Sequence, residues 1–453
     1  MLEDHGVGLA FARDNCVVVT DHRGTVTLVG NKQRVTCLDV SSDGLRLASG
    51  SVDGKVTVWD RIHDSEWVIS HTFCFHDDDE PMLKFAWVTR VLFVANDTHI
   101  MASRFDGVVE VWKVGGTTVQ PTRGVPLLVS ENSAAIVTFD AHFHGGHMHN
   151  GLVAAGFFHG HIWLQLLKIG ASSPVPAVAT SICLPAPAEE NVFHSMADRG
   201  CYSVRAILFL ETQQKEIILA TGGMDNAVRL WRTTVTVTFS EPASRPFFDQ
   251  TKSTNFEKET THLGCALEQT LQGTPESQGI QSLKYLLQAD ENPLSSKTKK
   301  FYLAAGCTLG VIVWIVSQRC TDGALECLMM HRPRLTPHHG PSLSGYRSFV
   351  SSIQLDRIVR DGRAVIWTGG SRVRARAWDL DTGDLLGISD EALTSYEMHV
   401  IHPAYTRSEA VQWVKDVSVA TGLLADVSNV VYGFLHPPGT RGSYDGLASD
   451  ACY

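Results

Sequence analysis

A short motif recurs seven times along the chain, with a tight-turn dipeptide placed six residues before a fixed position. The first residues of the turns are Asp14, Asp53, Asp106, His159, Asp225, Thr308 and Arg372. The fixed positions hold Thr20, Trp59, Trp112, Gln165, Trp231, Trp314 and Trp378. In the clearest copy, residues 47–60, an Asp-Gly pair separates two segments in which β-branched residues alternate, which predicts a β-hairpin. Regular recurrence of such a hairpin predicts a repeat architecture made of small β-sheets.

The pattern resembles the WD40 repeat family, most closely around Trp59 and Asp60. In that family a His, a Ser, the turn Asp and the Trp form a buried hydrogen-bond network. The resemblance implies that Ser49, Asp53 and Trp59 form part of it, and that Asp106, Trp112, Asp225, Trp231, Trp314 and Trp378 are structural residues of other repeats. The Gly-His dipeptide that the family carries about twenty residues before each turn is absent from the aligned copies, so we expect a partial network.

The predicted fold is all-β, a seven-bladed WD40-type propeller formed by residues 1–453 as a single domain. A single small sheet leaves two apolar faces exposed and becomes stable only by stacking on its neighbours, and radial stacking meets that need. The first unit begins with residues 8–12, interpreted as an inner strand, and it contains only three strands. We expect residues 429–436 near the C-terminus to add the fourth, which would close the ring and remove two open sheet edges.

Long insertions are predicted at about 170–200, 240–281, 331–348 and 387–412, with a shorter one at 75–83. Residues 240–281 are rich in Ser, Thr, Glu and Gln, which predicts a flexible loop, and 170–187 are expected to have little regular structure. These connections are assigned between the last strand of one blade and the first strand of the next. In the resembled family such connections lie on the same face as the hairpin turns, the face that commonly receives partners.

Charge supplies two candidate partner sites. The net charge of −10 disfavours direct binding of nucleic acid. Asp77, Asp78, Asp79 and Glu80 form an acidic run that suits a basic protein partner, although such runs are more often solvated edges. Arg372, Arg374 and Arg376 alternate along one predicted strand, on the face that carries Trp378. They could bind an anion or an acidic peptide, or they could pack between blades and pair with carboxylates.

One histidine-rich segment could hold a metal. His142, His144, His147 and His149 are dense enough for Zn²⁺ or Ni²⁺, but their spacing matches no closed-site pattern and no Cys pair accompanies them. We therefore expect a solvated loop, no metal and no cofactor. Phosphate-loop, nucleophile-elbow and metalloprotease motifs are absent from the sequence.

These observations predict a non-catalytic interaction scaffold or adaptor subunit of a multiprotein complex, monomeric as a propeller. Two alternatives remain open: an accessory subunit of an RNA-modifying or RNA-processing enzyme, and a propeller hydrolase assisted by a metal on the histidines. No signal-like or membrane-spanning apolar segment is found, and ten cysteines occur without CxxC pairs. An intracellular location, cytoplasmic or nuclear, is the expectation.

Overall fold

The structure is a computed structural model of the chain, and it describes the parts that form the sheets and their tighter turns. The described residues are 8–21, 24–63, 66–75, 87–114, 125–129, 135–143, 150–168, 177–184, 203–211, 217–239, 259–273, 279–288, 298–307, 310–319, 324–331, 350, 352–357, 363–370, 373–392 and 398–401. Among them there is no helix long and apolar enough to cross a membrane.

All regular elements of the described residues are strands. In chain order they are β1 (Gly8–Arg13), β2 (Cys16–Asp21), β3 (Gly24–Val29), β4 (Val35–Val40), β5 (Arg46–Ser51), β6 (Lys55–His63), β7 (Glu66–Cys74), β8 (Val88–Val94), β9 (His99–Arg104), β10 (Val108–Lys113), β11 (Val125–Val129), β12 (Ile136–Phe143), β13 (Asn150–Phe157), β14 (Ile162–Lys168), β15 (Ala177–Leu184), β16 (Val204–Glu211), β17 (Ile217–Gly223), β18 (Ala227–Phe239), β19 (Glu259–Gln272), β20 (Ile280–Leu287), β21 (Thr298–Cys307), β22 (Gly310–Arg319), β23 (Leu325–His331), β24 (Ser352–Arg357), β25 (Ala364–Gly370), β26 (Val373–Asp379), β27 (Leu385–Ala392) and β28 (Met398–Ile401).

The strands form seven four-stranded antiparallel sheets, which confirms the predicted seven blades. The inner strand of each sheet contacts the inner strand of the next sheet all the way around, so the ring is closed. All seven fixed positions of the sequence motif lie in the third strand of a blade. They also share one register: Trp59 pairs with Leu47, Trp231 with Leu219 and Thr20 with Leu9.

The closing blade is shared between the two ends of the described chain, and it has the order β28-β1-β2-β3. The predicted division into three strands plus one is confirmed, but two of its details were wrong. Residues 8–12 belong to the second strand of the blade, and the inner strand is Met398–Ile401, which pairs with β1 from Gly8 to Phe11. Residues 429–436, which were predicted to add the fourth strand, lie outside the described residues, and the fourth strand of this blade is β28.

Several predicted insertions contain strands. Residues 177–184 and 259–272 are the outer strands β15 and β19, and 387–412 contains most of β27 and all of β28. Residues 240–258 and most of 331–348 lie outside the described residues, but β18 ends and β19 begins on the face opposite the hairpin turns. β18 and β19 form an extended antiparallel pair, in which Thr234 to Phe239 and Glu259 to Gly264 continue past Ile217, the first residue of β17.

Blade-to-blade packing supplies the core. Each blade presents one apolar face to the preceding blade and one to the next, and buried clusters fill the spaces between them. Glycines on second strands let neighbouring blades approach closely, as where Gly222 on β17 lies against Ile280, the first residue of the next inner strand. A Cβ at position 222 would stand 2.9 Å from Ile280 Cβ, so a side chain there would force the blades apart.

Candidate site at the mouth of the central channel

The turns between the second and third strands of the blades all emerge on one face of the ring, which we call the turn face. The inner strands also begin at this face. Backbone N–H groups of the turns donate to the carbonyls of the residues just before the inner strands, as in Val52 N to Arg34 O and Phe105 N to Trp87 O. Five inner strands also carry a register irregularity one or two residues after their start. A bulge of this kind redirects the side chains next to it, here at the opening of the central channel.

The opening is a cavity of about 390 Å³ lined by residues at the start of six inner strands, and we call it the channel mouth. Four cationic side chains line it: Arg34, Arg90, Arg205 and Lys284. The rest of its polar wall carries hydroxyl and amide groups, and none of the described residues that line it is acidic. The chain as a whole is negative, with a net charge of −10, so positive charge is concentrated at this opening.

An aromatic pair borders the cations. Trp87 precedes β8, and Phe105 lies in the turn between β9 and β10. Their rings stack with centroids 4.4 Å apart and an interplanar angle of 28°. Both residues line the channel mouth and both are half-buried, so the opening has an aromatic as well as a cationic part.

A half-buried carboxylate interacts electrostatically with two of the cations. Asp140 on β12 accepts a hydrogen bond from the backbone N–H of Phe209 on the next inner strand, at 2.8 Å. Burial raises the pKa of the Asp140 carboxyl above its usual range, and the charges of Arg90 and Lys284 oppose that shift. Asp39 makes the same kind of bond to Phe93 N, at 2.7 Å, so these carboxylates link neighbouring inner strands.

In the clearest repeat, Ser49 has a hydrogen-bond partner, Asn31, that was not predicted from the sequence. Asn31 is buried, and its Oδ1 accepts a hydrogen bond from Ser49 Oγ at 3.1 Å. It follows Gly30 and precedes the Asp53 turn by the interval at which the family carries Gly-His, so the Gly-Asn pair was the available signal. Ser51 Oγ donates to the Asp53 carboxylate inside the turn.

The other predicted structural residues are positioned by their blades. Trp59, Trp112, Trp314 and Trp378 are buried, while Trp231 is half-buried. In two blades the indole N–H donates to a Thr of the second strand, from Trp231 to Thr221 at 2.9 Å and from Trp378 to Thr368 at 3.0 Å. At the turns, Asp106 and Asp225 form ion pairs within their own blades, with Arg104 and Arg229.

The structure places only part of the predicted partner and metal candidates. Arg376 lies on β26, half-buried, and burial lowers the pKa of its guanidinium. It is not among the residues that line the channel mouth. Arg374 is a β26 residue whose side chain is not described, and Arg372, Asp77, Asp78, Asp79 and Glu80 lie outside the described residues. His142 is at the end of β12, whereas His144, His147 and His149 are outside the described residues. The described residues contain no cluster of three or more potential metal ligands.

Seven four-stranded antiparallel sheets around a polar central channel define a β-propeller. Residues 23–60 match the family model described as WD domain, G-beta repeat, and this match confirms the WD40 resemblance. The chain is therefore a seven-bladed β-propeller in which one repeat matches the WD family model.

Among solved structures, the chain is similar to the crystal structure of the Cps50 (Swd1) β-propeller domain of Myceliophteria thermophila. The identity is 14% and the TM-score is 0.45, over 79% of this chain and 87% of that chain. No curated protein sequence matches the chain.

Proposed function

We propose that this protein is a non-catalytic interaction subunit of a multiprotein complex, and that it receives a partner at the channel mouth. The observation that carries the proposal is the composition of this opening, where cations, hydroxyl groups and a half-buried aromatic pair converge on one cavity. Concave sites with an apolar part and a few convergent polar groups are the default binding sites of proteins.

The hydrogen-bonded framework of the ring supports this function. Residues that line the mouth are held by β-sheet hydrogen bonds on six different blades. A partner therefore binds a surface that is already ordered by folding, and little conformational entropy is lost on binding. A platform of this kind gains affinity from preorganisation, with no chemical step required of its side chains.

The test is quantitative affinity purification of the full chain and two variants from the cells that express it. Gln281→Trp places a large ring in the channel mouth, whereas Leu328→Trp changes a side chain on the outer rim that is 67% exposed. We expect the mouth variant to lose at least one partner that the rim variant retains, with both variants keeping the melting temperature of the wild type. A full chain that elutes alone at physiological salt, or equal capture by both variants, would refute the proposal.

A further inference from the structure

The channel mouth has a charge opposite to that of the whole molecule. Four cations from four separate segments of the chain line one cavity, and the charges of two of them, Arg90 and Lys284, act on the carboxyl of Asp140. Low-dielectric walls concentrate the field of charges placed around a cleft, so this opening attracts anions even though the molecule is negative overall.

The cations are partly buried and held in place. Arg90, Arg205 and Lys284 are half-buried, and each has an interaction within the protein, whereas Arg34 at the rim of the mouth is exposed. A positioned guanidinium loses little freedom when it binds a carboxylate with two parallel hydrogen bonds.

From this arrangement we infer that the channel mouth binds an acidic protein segment, with one or two Glu or Asp side chains entering the cavity between Arg34, Arg90, Arg205 and Lys284. The inference rests on the proposed function and names the chemistry of its partner. A volume of about 390 Å³ suits one or two side chains of an extended peptide, and an apolar residue next to the acidic ones would contact Trp87 and Phe105.

Charge and shape favour a peptide over RNA. A nucleic acid needs a basic groove that follows its backbone for several nucleotides, and it gains affinity by stacking bases on available rings. Here the cations surround one enclosed opening, the rings of Trp87 and Phe105 already stack on each other, and the chain as a whole carries a net charge of −10. A short acidic segment can be neutralised within the mouth without extending across the rest of the ring.

The experiment measures binding of fluorescein-labelled hexaglutamate to the full chain by fluorescence polarisation, with hexaglutamine and a labelled decauridylate RNA as comparison probes. We expect hexaglutamate to bind, hexaglutamine to bind far more weakly, and the hexaglutamate affinity to fall as salt is raised. The double variant Arg34→Gln/Arg205→Gln should weaken hexaglutamate binding by about tenfold or more, because two charge-assisted contacts are lost.

The double variant leaves Arg90 and Lys284 unchanged, and their charges oppose the pKa shift of Asp140. The substitutions therefore do not leave the Asp140 carboxylate without its compensating charges. Lys113→Gln is the matched control, since Lys113 is exposed at the end of β10, away from the turn face. Arg205→Lys keeps the charge but loses the planar pair of donors, so its affinity should lie between those of the wild type and the double variant. Melting temperatures of all variants confirm that the ring is intact.

Three results would overturn the inference. They are no binding of hexaglutamate at low salt, equal binding by the double variant and the Lys113→Gln control, and tighter binding of the RNA that is lost in the same double variant. If hexaglutamate fails to bind, but Gln281→Trp still loses partners that the wild-type chain captures, the acidic specificity is wrong and the interaction function remains.

Discussion

At the scale of single residues, the fixed position in the third strand determines how well two blades pack. Trp59 is 2% exposed and contacts a buried cluster that includes Ala10, Val17 and Val19 of the preceding blade. Gln165 holds the same position two blades further on and is also buried. The same site in the fold is thus filled by a large apolar ring in one blade and by a smaller polar chain in another.

We therefore expect Trp59→Ala to lower the free energy of unfolding by roughly 3–5 kcal/mol, the usual range for a buried aromatic truncation. Gln165→Ala removes far less apolar volume and should cost clearly less. Chemical denaturation followed by intrinsic fluorescence and circular dichroism measures both. Similar losses at the two positions would contradict the expectation that the tryptophan contributes more to blade packing than the glutamine.

A second residue-scale contact joins two blades on the face opposite the turns. Ser42 donates to the Asp97 carboxylate through its backbone N–H, at 2.8 Å, and through its hydroxyl group. Asp97 has a positive φ of 60°, a conformation that Asp and Asn tolerate better than other side chains. Burial raises the pKa of Asp97, with Asp43 adding to the shift, while the Ser42 bonds and Arg46 oppose it.

A raised pKa in the folded state means that the folded protein binds the Asp97 proton more tightly than the unfolded chain does. The contribution of this group to stability is therefore largest below the unfolded pKa of about 3.8 and is lost as the pH rises through the folded pKa. We expect Asp97→Asn to lose less stability than the wild type between pH 4 and pH 7, in melting curves recorded across that range. A difference of the opposite sign would show that the carboxylate is better solvated than its burial indicates.

At the scale of elements, the paired strands of the hairpin motif could be predicted, whereas the outer strand β19 and the inner strand β28 could not. The motif located β5, β6 and their equivalents because their apolar residues alternate with a fixed turn between them. The outer strand β19 has few buried side chains, Leu263 and Leu271 among them, so its composition is that of a polar loop. The inner strand β28 is four residues long, too short for periodicity to detect.

The channel mouth could not be predicted for a different reason. Its cations come from four distant parts of the sequence and occupy different positions relative to the starts of their inner strands. They share no spacing that a repeat analysis could detect, and only closure of the ring brings them together. The cationic site predicted from the sequence was instead the set of three arginines that do alternate, Arg372, Arg374 and Arg376.

Close approach between blades gives an element-scale prediction. Gly222→Ala places a methyl group against Ile280 and should destabilise the ring by about 1–3 kcal/mol, the usual cost of overpacking. Gly387→Ala is the matched control, because a Cβ at position 387 meets no atom within 4 Å. Thermal melting of the two variants tests this, and an unchanged melting temperature for Gly222→Ala would mean that the two blades can separate at no cost.

At the scale of the whole molecule, the ring is completed by four residues. β28 pairs with β1 and contacts the inner strands on both sides, so it joins the blade made by β1, β2 and β3 to the blades at either side of it. Its hydrogen bonds protect an edge of β1 that would otherwise be open to other chains.

A chain truncated after residue 397 should therefore melt at a clearly lower temperature and aggregate more readily than a chain truncated after residue 402, which retains β28. Differential scanning fluorimetry and light scattering measure the two effects. Equal behaviour of the two truncated chains would argue that another segment closes the ring.

The shared blade also constrains how the protein is made. β1 leaves the ribosome nearly four hundred residues before β28 does, and translation at about 5–20 residues per second separates the two events by roughly 20–80 s. During that interval the nascent chain can stack blade upon blade but exposes the edge of β1 where β28 will pair. That edge is therefore an expected binding site for chaperones, which would leave the nascent chain when the last strand emerges.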